Sequence, residues 1–466
     1  MSNRKICYCF IAIIVFCSIS VIVFTKYLVG LWPGNLSPLR LFHGPTVKPL
    51  WPVDGPTAPG YYEHLGRLTN PCAGERPLSN RVRNDVWYLT GQSHSGHEVA
   101  VFSAHLDDRS SERRNTAAVR VMSVVNWKGH AGPKVYCLLW YYNVSHPVVA
   151  AVEELKTGRG LSVGDSHYEE KLFTCVLPTW HVPEHVSLTL GSECNPAYAL
   201  VPVIIPQRAR MHDFGVCVAV AYGSINGTRI KEWVEFHRLL GVGEFNIYHG
   251  KLDRMTLDVF TAYSKQHVVA LRQIAPPIDN WCTWCQKLAT IAVLNDCMYR
   301  NMHRYKYMVV VDFDEIIVPH SDVNYSEMLQ RITRASQSAS VDQFAFRNAY
   351  FFLDFPADET QPRELVTLRY HTRAAVSQPG VAVKSILNPR GCVSMQNHYC
   401  AKRMPRDATV LMVDPDVALN HHYKRCHLTA DECGYTLRHG VDDGATQRFR
   451  EQLLDNLAKQ RGITPR

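Results

Sequence analysis

Between residues 216 and 311 the chain alternates without a break between strand-like and helix-like stretches, and that order leaves few folds open. "VCVAVA" (216–221) reads as a strand. "RIKEWVEFHRLLG" (229–241) follows, with Ile230, Trp233, Val234 and Leu240 at helical spacing and charges on the other side. Gly241 and Gly243 predict its end, and "EFNIYHG" (244–250) is the next strand. A helix from about Met255, the strand "HVVALRQI" (267–274), a long helix from about Trp284 to His303 and the strand "YMVVVDF" (307–313) complete the series. Strands and helices taken in turn predict a parallel sheet covered by helices. Ligands of such sheets gather beyond the carboxyl ends of the strands.

The last of these strands ends awkwardly for a buried element. Met308 to Val311 is an apolar run, and Asp312, Asp314 and Glu315 follow at once. A core does not accept carboxylates without partners. On an extended segment residues i and i+2 face the same way, which predicts that Asp312 and Asp314 converge on one centre. Two carboxylates so placed repel unless a proton or a cation relieves them. A hard divalent ion such as Mg2+ or Mn2+ suits oxygen ligands and leaves positions for substrate phosphates. The competing reading is structural: carboxylates that cap a strand or pair with arginines.

Upstream, from about residue 85 to 206, the periodicity is near two. "EVAVFSA", "AAVRVMSVV", "KVYCLLWYY", "LFTCVLP" and "HVSLTL" are short β-rich runs, which predict an antiparallel sheet or sandwich in an accessory role. Residues 26–84 are rich in proline and read as an extended stem. Residues 6–25 carry no charge and follow Arg4-Lys5, which predicts a single membrane-spanning anchor with residues 1–5 in the cytosol. The 15 cysteines, seen against that topology, predict several disulfides of unspecified pairing. Sequons at Asn35, Asn143, Asn226 and Asn324 suit an exposed luminal chain. A formal charge of +8, spread over the length, lacks the concentrated basic stripe that nucleic-acid binding calls for, so nucleic acid is not expected as a partner.

Six segments occur in a telling order: "CVAVAYG" (217–223), "KEWVEFHRLLGVGEFNIY" (231–248), "QKLATIAVLNDCMYR" (286–300), "VVVDFDEIIVP" (309–319), "KSILNP" (384–389) and "LNHHYK" (419–424). Together they resemble the catalytic domain of glycosyltransferase family 92. The resemblance implies an α/β fold of the GT-A (Rossmann-like) kind over residues 207–435, with 436–466 as a helical tail. It also implies a nucleotide-sugar donor, UDP-galactose above all, inverting transfer onto a glycan acceptor, and a Golgi membrane enzyme with its catalytic domain in the lumen.

Carried onto this sequence, the resemblance places Asp312 and Asp314 on Mn2+ and the donor diphosphate. Glu315 would support that shell or touch the sugar. Ala221 and Tyr222, at the end of the first strand, would face the nucleoside. His422 would complete the metal set, with His421 and His398 as rivals. Lys384 and Lys424 would contact phosphate. Inverting transfer needs a general base, for which Asp354 in "AYFFLDFP" is the candidate and Asp342, Asp358 and Glu364 compete.

Three other readings stand beside this one. "VVVDFDE" resembles the opening strand of haloacid-dehalogenase phosphatases, where the first Asp attacks phosphorus. Against it, the motif closes a strand–helix series here and Glu-Ile-Ile replaces the usual continuation. "WCTWC" (281–285) resembles a thioredoxin-type Cys-x-x-Cys, though Cys282 and Cys285 read more simply as structural disulfide partners, with Cys297 as one candidate. A non-catalytic protein retaining the fold would have no use for both aspartates.

Overall fold

The computed structural model describes residues 82–460 apart from short internal stretches, of which 191–198 and 278–287 are the longest. The expected anchor, nearly all of the stem, and the Cys282/Cys285 pair lie outside the described residues. Among the described residues no helix is long and apolar enough to cross a membrane.

The β-rich region forms one large sheet, antiparallel except where Val201–Ile204 runs parallel to Glu98–Asp107. Glu98–Asp107, Ala118–Trp127 and Ser166–Val176 lie side by side in register. One face packs Val99, Val121 and Phe173 against Leu139, Val186 and Leu188 of the strands Val135–Trp140 and His185–Leu190. The disulfide Cys137–Cys175 joins the two parts. The other face is not free. Ala100, Met122, Val124 and Leu172 share a core with Val293, Leu294, Cys297 and Met298 of a helix in the alternating half. Both faces being buried explains why "AVRVMSVVNW" is apolar almost throughout instead of alternating.

Counting elements from His212, the alternating half begins with β1 (His212–Gly223), α1 (Gly227–Leu239), β2 (Val242–Leu252), α2 (Arg254–Lys265) and β3 (Val269–Gln273). It continues with α3 (Thr290–Asn301) and β4 (Tyr305–Val310). These four strands are parallel, in the order β3-β2-β1-β4. Gly241 ends the first helix with φ +101°, as expected. Gly243 does something else: it lies inside β2, where a Cβ would sit 2.3 Å from His212 Nδ1. The third helix, expected from about Trp284, begins at Thr290, and 281–287 are outside the described residues. Cys297 on this helix pairs with Cys217 of β1 and with neither cysteine of "WCTWC".

That helix shows how closely the two halves depend on each other. Its N-cap residue, Ala289, offers no side-chain cap. Glu170 of the β-rich sheet supplies one, with Oε1 accepting from Ile291 N (2.9 Å) and Ala292 N (3.1 Å). Burial pushes the Glu170 carboxyl up to about 7, although the two N–H groups pull the other way. A folded value above the ordinary one stabilises the fold fully at pH below about 4.5, and the contribution is lost as pH rises through 7. Glu170→Gln keeps an acceptor oxygen and removes the charge. It is expected to match wild type at pH 5 and to exceed it by roughly 1–3 kcal/mol at pH 8, read from urea midpoints. Identical pH profiles would refute the account.

After β4 the chain forms β5 (Glu315–Pro319), α4 (Tyr325–Ala335), β6 (Gln343–Phe346), β7 (Asn348–Phe352), β8 (Lys384–Leu387), β9 (Val410–Met412) and β10 (Ala418–Lys424). Strands β8, β6 and β9 extend the main sheet beyond β4, while β5, β10 and β7 make a separate small sheet. The helix Ala430–Arg438 spans the expected boundary at 435/436. Phe449 and Leu453, expected in a tail, are buried in the same core as Phe236 of α1. The apolar spacing of 450–459 is too sparse to announce this, since only Leu453 of that helix is fully covered.

Candidate active site

The strand order reverses between β1 and β4, because the chain moves outward through β2 and β3 and then returns to β1's other side. Crevices at such a switch point are where α/β sheets take ligands. The segment after β4 lies there. It is not extended, as the i, i+2 argument assumed: β4 stops at Val310, and Asp312–Asp314 form a tight turn into β5. Glu315 N donates to Asp312 O (3.1 Å), and Asp312 N donates to Glu315 Oε2 (3.0 Å). Trp233 Nε1 of α1 donates to both Asp312 O (3.1 Å) and Glu315 O (3.0 Å). Tyr423 N donates to Asp314 O (2.8 Å). A turn fixed at four points aims its side chains without needing their mutual attraction.

The side chains form one ionic chain. Asp312 Oδ2 and Glu315 Oε2 each lie 2.8 Å from Lys384 Nζ. Glu315 Oε1 is 3.1 Å from His422 Nδ1, and His422 Nε2 is 3.2 Å from Asp314 Oδ2. The middle of this chain is buried and its ends are open. Side-chain exposure is 1% for Lys384 and 2% for Glu315, but 35% for Asp312 and 39% for Asp314. Burial works to lower the Lys384 pKa, yet Glu315 and Asp312 outweigh it and hold the ammonium well above its ordinary range. Burial pushes the Glu315 carboxyl up and Lys384 opposes it. Burial would also raise Asp314, but His422 outweighs it and keeps that carboxyl low. Asp312 and Asp314 therefore reach solvent with buried groups behind them.

Several expected residues take different places. Lys384 does not face a phosphate; its ammonium is engaged by Asp312, Glu315 and Asn397 O (3.4 Å). Glu315 is buried, 2.8 Å from Lys384 Nζ and 3.1 Å from His422 Nδ1, too deep to touch a sugar. His421 is on the far face of β10, stacked on Phe351 at 4.1 Å between ring centroids. His398 gives Nδ1 to Val383 O (2.8 Å), and burial, followed by the nearby Lys384, lowers its pKa. Ala221 is buried and Tyr222 exposed at the carboxyl end of β1. Asn226 caps α1, its Oδ1 accepting from Thr228 N and Arg229 N. Asp354 is exposed, with Oδ2 accepting from Cys426 N (2.7 Å). Its rivals are elsewhere: Asp342 holds Asn388 at the opposite end of the sheet, Asp358 is tied to Thr360, and Glu364 is exposed.

The register of the small sheet adds a residue the sequence did not single out. Glu315, His422 and Tyr350 are direct neighbours across β5, β10 and β7, so they share one face. The Tyr350 ring lies 5.1 Å from His422 and 5.2 Å from His427, and Lys424 Nζ is 6.0 Å from its centroid. The aromatic run "AYFFLDFP" was visible, but which ring faces the carboxylates depends on the pairing. A cavity of about 610 Å3 opens at the other end of the main sheet, lined by Asp213, Lys306 and Tyr307 among others, and holds none of these groups.

Asp314 and His422 are ligand types that suit a hard or borderline divalent ion. Asp312, however, is drawn to Lys384, and the ligand atoms of Asp312, Asp314 and His422 do not all lie within 4.8 Å of one another, so the expected convergence of the two aspartates on one centre is not formed in this structure. The His422–Asp314 separation of 3.2 Å is close to that of two adjacent ligands on an octahedral ion with bonds of about 2.1 Å. Glu315 Oε1 approaches the other ring nitrogen at 3.1 Å without the alignment of a hydrogen bond.

A beta-1,4-galactosyltransferase of Caenorhabditis elegans, galt-1, is 29% identical over 132 residues, covering 25% of this chain and 31% of that protein. The chain thus spans under a third of that relative. Among solved structures, M. tuberculosis glucosyl-3-phosphoglycerate synthase is 13% identical with a TM-score of 0.24, covering 55% of this chain and 82% of that one. S. aureus TarS 1-349 in complex with UDP-GlcNAc is 11% identical with a TM-score of 0.24, covering 46% and 60%. Structural likenesses this low carry no weight below. The family model for glycosyltransferase family 92 matches residues 212–461, from the first strand of the parallel sheet to the last helix, and the chain belongs to that family.

Proposed function

We propose that this protein is a metal-dependent, inverting glycosyltransferase that moves galactose from UDP-galactose onto a glycan acceptor in the secretory pathway. The observation that carries the reading is the pair of half-exposed carboxylates, Asp312 and Asp314, at the β1/β4 switch point, with buried groups behind them. Asp312, Asp314 and His422 would hold Mn2+, which when bound neutralises the diphosphate leaving group. Lys384 holds Asp312, and His422 holds Asp314, before donor arrives. Tyr222, exposed at the end of β1, is placed to pack against the nucleoside. Tyr350, His427 and Lys424 form an aromatic and basic surface beside His422 that suits a sugar ring and its hydroxyls. Asp354, four residues past Tyr350, keeps one carboxylate oxygen clear of its contact with Cys426 and is the candidate for the acceptor's proton.

Four disulfides pair all eight described cysteines, which fits a chain folded in an oxidising compartment and supports the luminal placement. The test is a panel of UDP-sugars offered to the full-length protein with and without Mn2+, followed by linkage analysis of the product. Galactose transfer that stops on chelation is expected. Phosphate release from monoesters without any sugar transfer would overturn the reading in favour of a phosphatase.

A further inference from the structure

The opposite face of the small sheet carries a second constellation that the donor site does not use. Register pairs Ile316 with His421 and Pro319 with Ala418, and His320 N continues the ladder to Val417 O (2.9 Å). Directly paired residues share a face and alternate along each strand. His320 and His421 therefore fall together on the face away from Glu315 and His422. Asp443, from the chain beyond the helix Ala430–Arg438, reaches the same place. One ligand atom from each of His320, His421 and Asp443 lies within 4.8 Å of the others.

The two imidazoles are oriented alike. His320 Nδ1 donates to Asp416 O (3.2 Å), and His421 Nδ1 contacts Tyr423 Oη (3.2 Å). Each ring thereby leaves Nε2 as the nitrogen for something else, and both Nε2 atoms are buried without a hydrogen-bond partner. His421 is fully buried. Orphaned ring nitrogens are costly in a folded protein unless a ligand uses them. Asp443 is held from behind: its Oδ2 accepts from Arg373 Nε (2.8 Å) and its Oδ1 from Ala445 N (3.3 Å). Carbonyl, hydroxyl and guanidinium contacts of this sort are what orient metal-ligating side chains.

We infer that His320, His421 and Asp443 form a second metal site, separate from the donor site and able to bind Zn2+. Two imidazoles and one carboxylate are a zinc donor set with a fourth position open. Three segments meet there: the end of β5, the middle of β10 and the chain leading to the last helix. The ion fastens the strand that carries His422 from the side away from the donor. The inference does not depend on the sugar or on the reaction.

The experiment is zinc binding to the full-length protein after chelation and dialysis, read as metal retained per chain and as affinity by calorimetric titration. One zinc per chain is expected, with a rise in Tm on adding it. His320→Gln and Asp443→Asn should each weaken binding by more than the ~10- to 100-fold that loss of an outer contact costs, while the zinc-free Tm stays near wild type. Asp443→Asn keeps an oxygen for Arg373, so it reports on the site even if His320→Gln misfolds. Asp312→Ala should bind zinc as wild type does. No retained zinc, unchanged affinity in both variants, or zinc lost with Asp312 would each overturn the proposal.

Discussion

Asp314→Ala and Asp312→Ala, each purified and shown to melt like wild type, are expected to transfer sugar ~10²- to 10³-fold more slowly, the scale of losing one electrostatic contact in an active site. Stability should barely move, because both side chains are more than a third exposed and neither supports the turn. The turn is held by backbone groups, by Trp233 and by Glu315. Lys384 keeps Glu315 when Asp312 is gone, and His422 keeps Glu315 when Asp314 is gone. The contrast lies one residue on: Glu315→Ala strips Lys384 and His422 of their buried partner and should unfold the protein. An Asp314→Ala enzyme with wild-type kcat and KM for the sugar donor would remove the assigned site.

Asp296→Ala is expected to cost about 3–5 kcal/mol, the range for breaking one side of a buried ion pair, against a total stability of roughly 5–15 kcal/mol. Asp296 is fully buried on α3 and joins the halves of the protein. Its Oδ1 accepts from His105 Nε2 of the β-rich sheet (2.7 Å), and its Oδ2 accepts from Tyr248 Oη (2.5 Å) and Arg300 Nε (2.7 Å). Burial lowers the His105 pKa, and contact with Asp296 works the other way. Burial would raise Asp296, but contact with His105 and Arg300 outweighs it and holds the carboxyl well below the ordinary range. Asp107, whose carboxylate meets Arg109 and Arg120, is held low in the same way, and Arg109 runs on to Cys392 O (2.6 Å). A depressed folded value means the stabilisation is present above the unfolded value near 4 and is lost as pH falls below it. Urea midpoints should therefore fall steeply below about pH 4 in wild type and less steeply in Asp296→Ala. A chain beginning at residue 207 should not fold, since it leaves α3 without its cover and without Glu170. Native-like melting of such a fragment would show that the β-rich half is dispensable.

The resemblance to family 92 was legible because its segments lie where the fold is most constrained. They are strand ends at the switch point, the capped helices beside them, and the histidine strand that closes the site. Asp312, Asp314 and His422 could be named from motif and chemistry. The surroundings of the other candidates could not be read from sequence. Lys384 looks the same in sequence whether it meets a phosphate or a buried Glu315. Asp354 and Asp342 look equally available until one is seen to hold Cys426 and the other Asn388.

By itself the sequence determined the alternating sheet, the β-rich half before it, the acidic tip of β4 and the family. All of these rest on local periodicity and on residue types that chemistry restricts. Tertiary structure alone decided that Asp312–Asp314 is a turn held by Trp233, that Tyr350 stands beside His422, and that Cys217 pairs with Cys297. It also decided that Glu170 and His105 complete a helix more than a hundred residues away. The reason is that periodicity records which side of an element is buried but not what buries it, and contacts across such separations are set only when the elements pack.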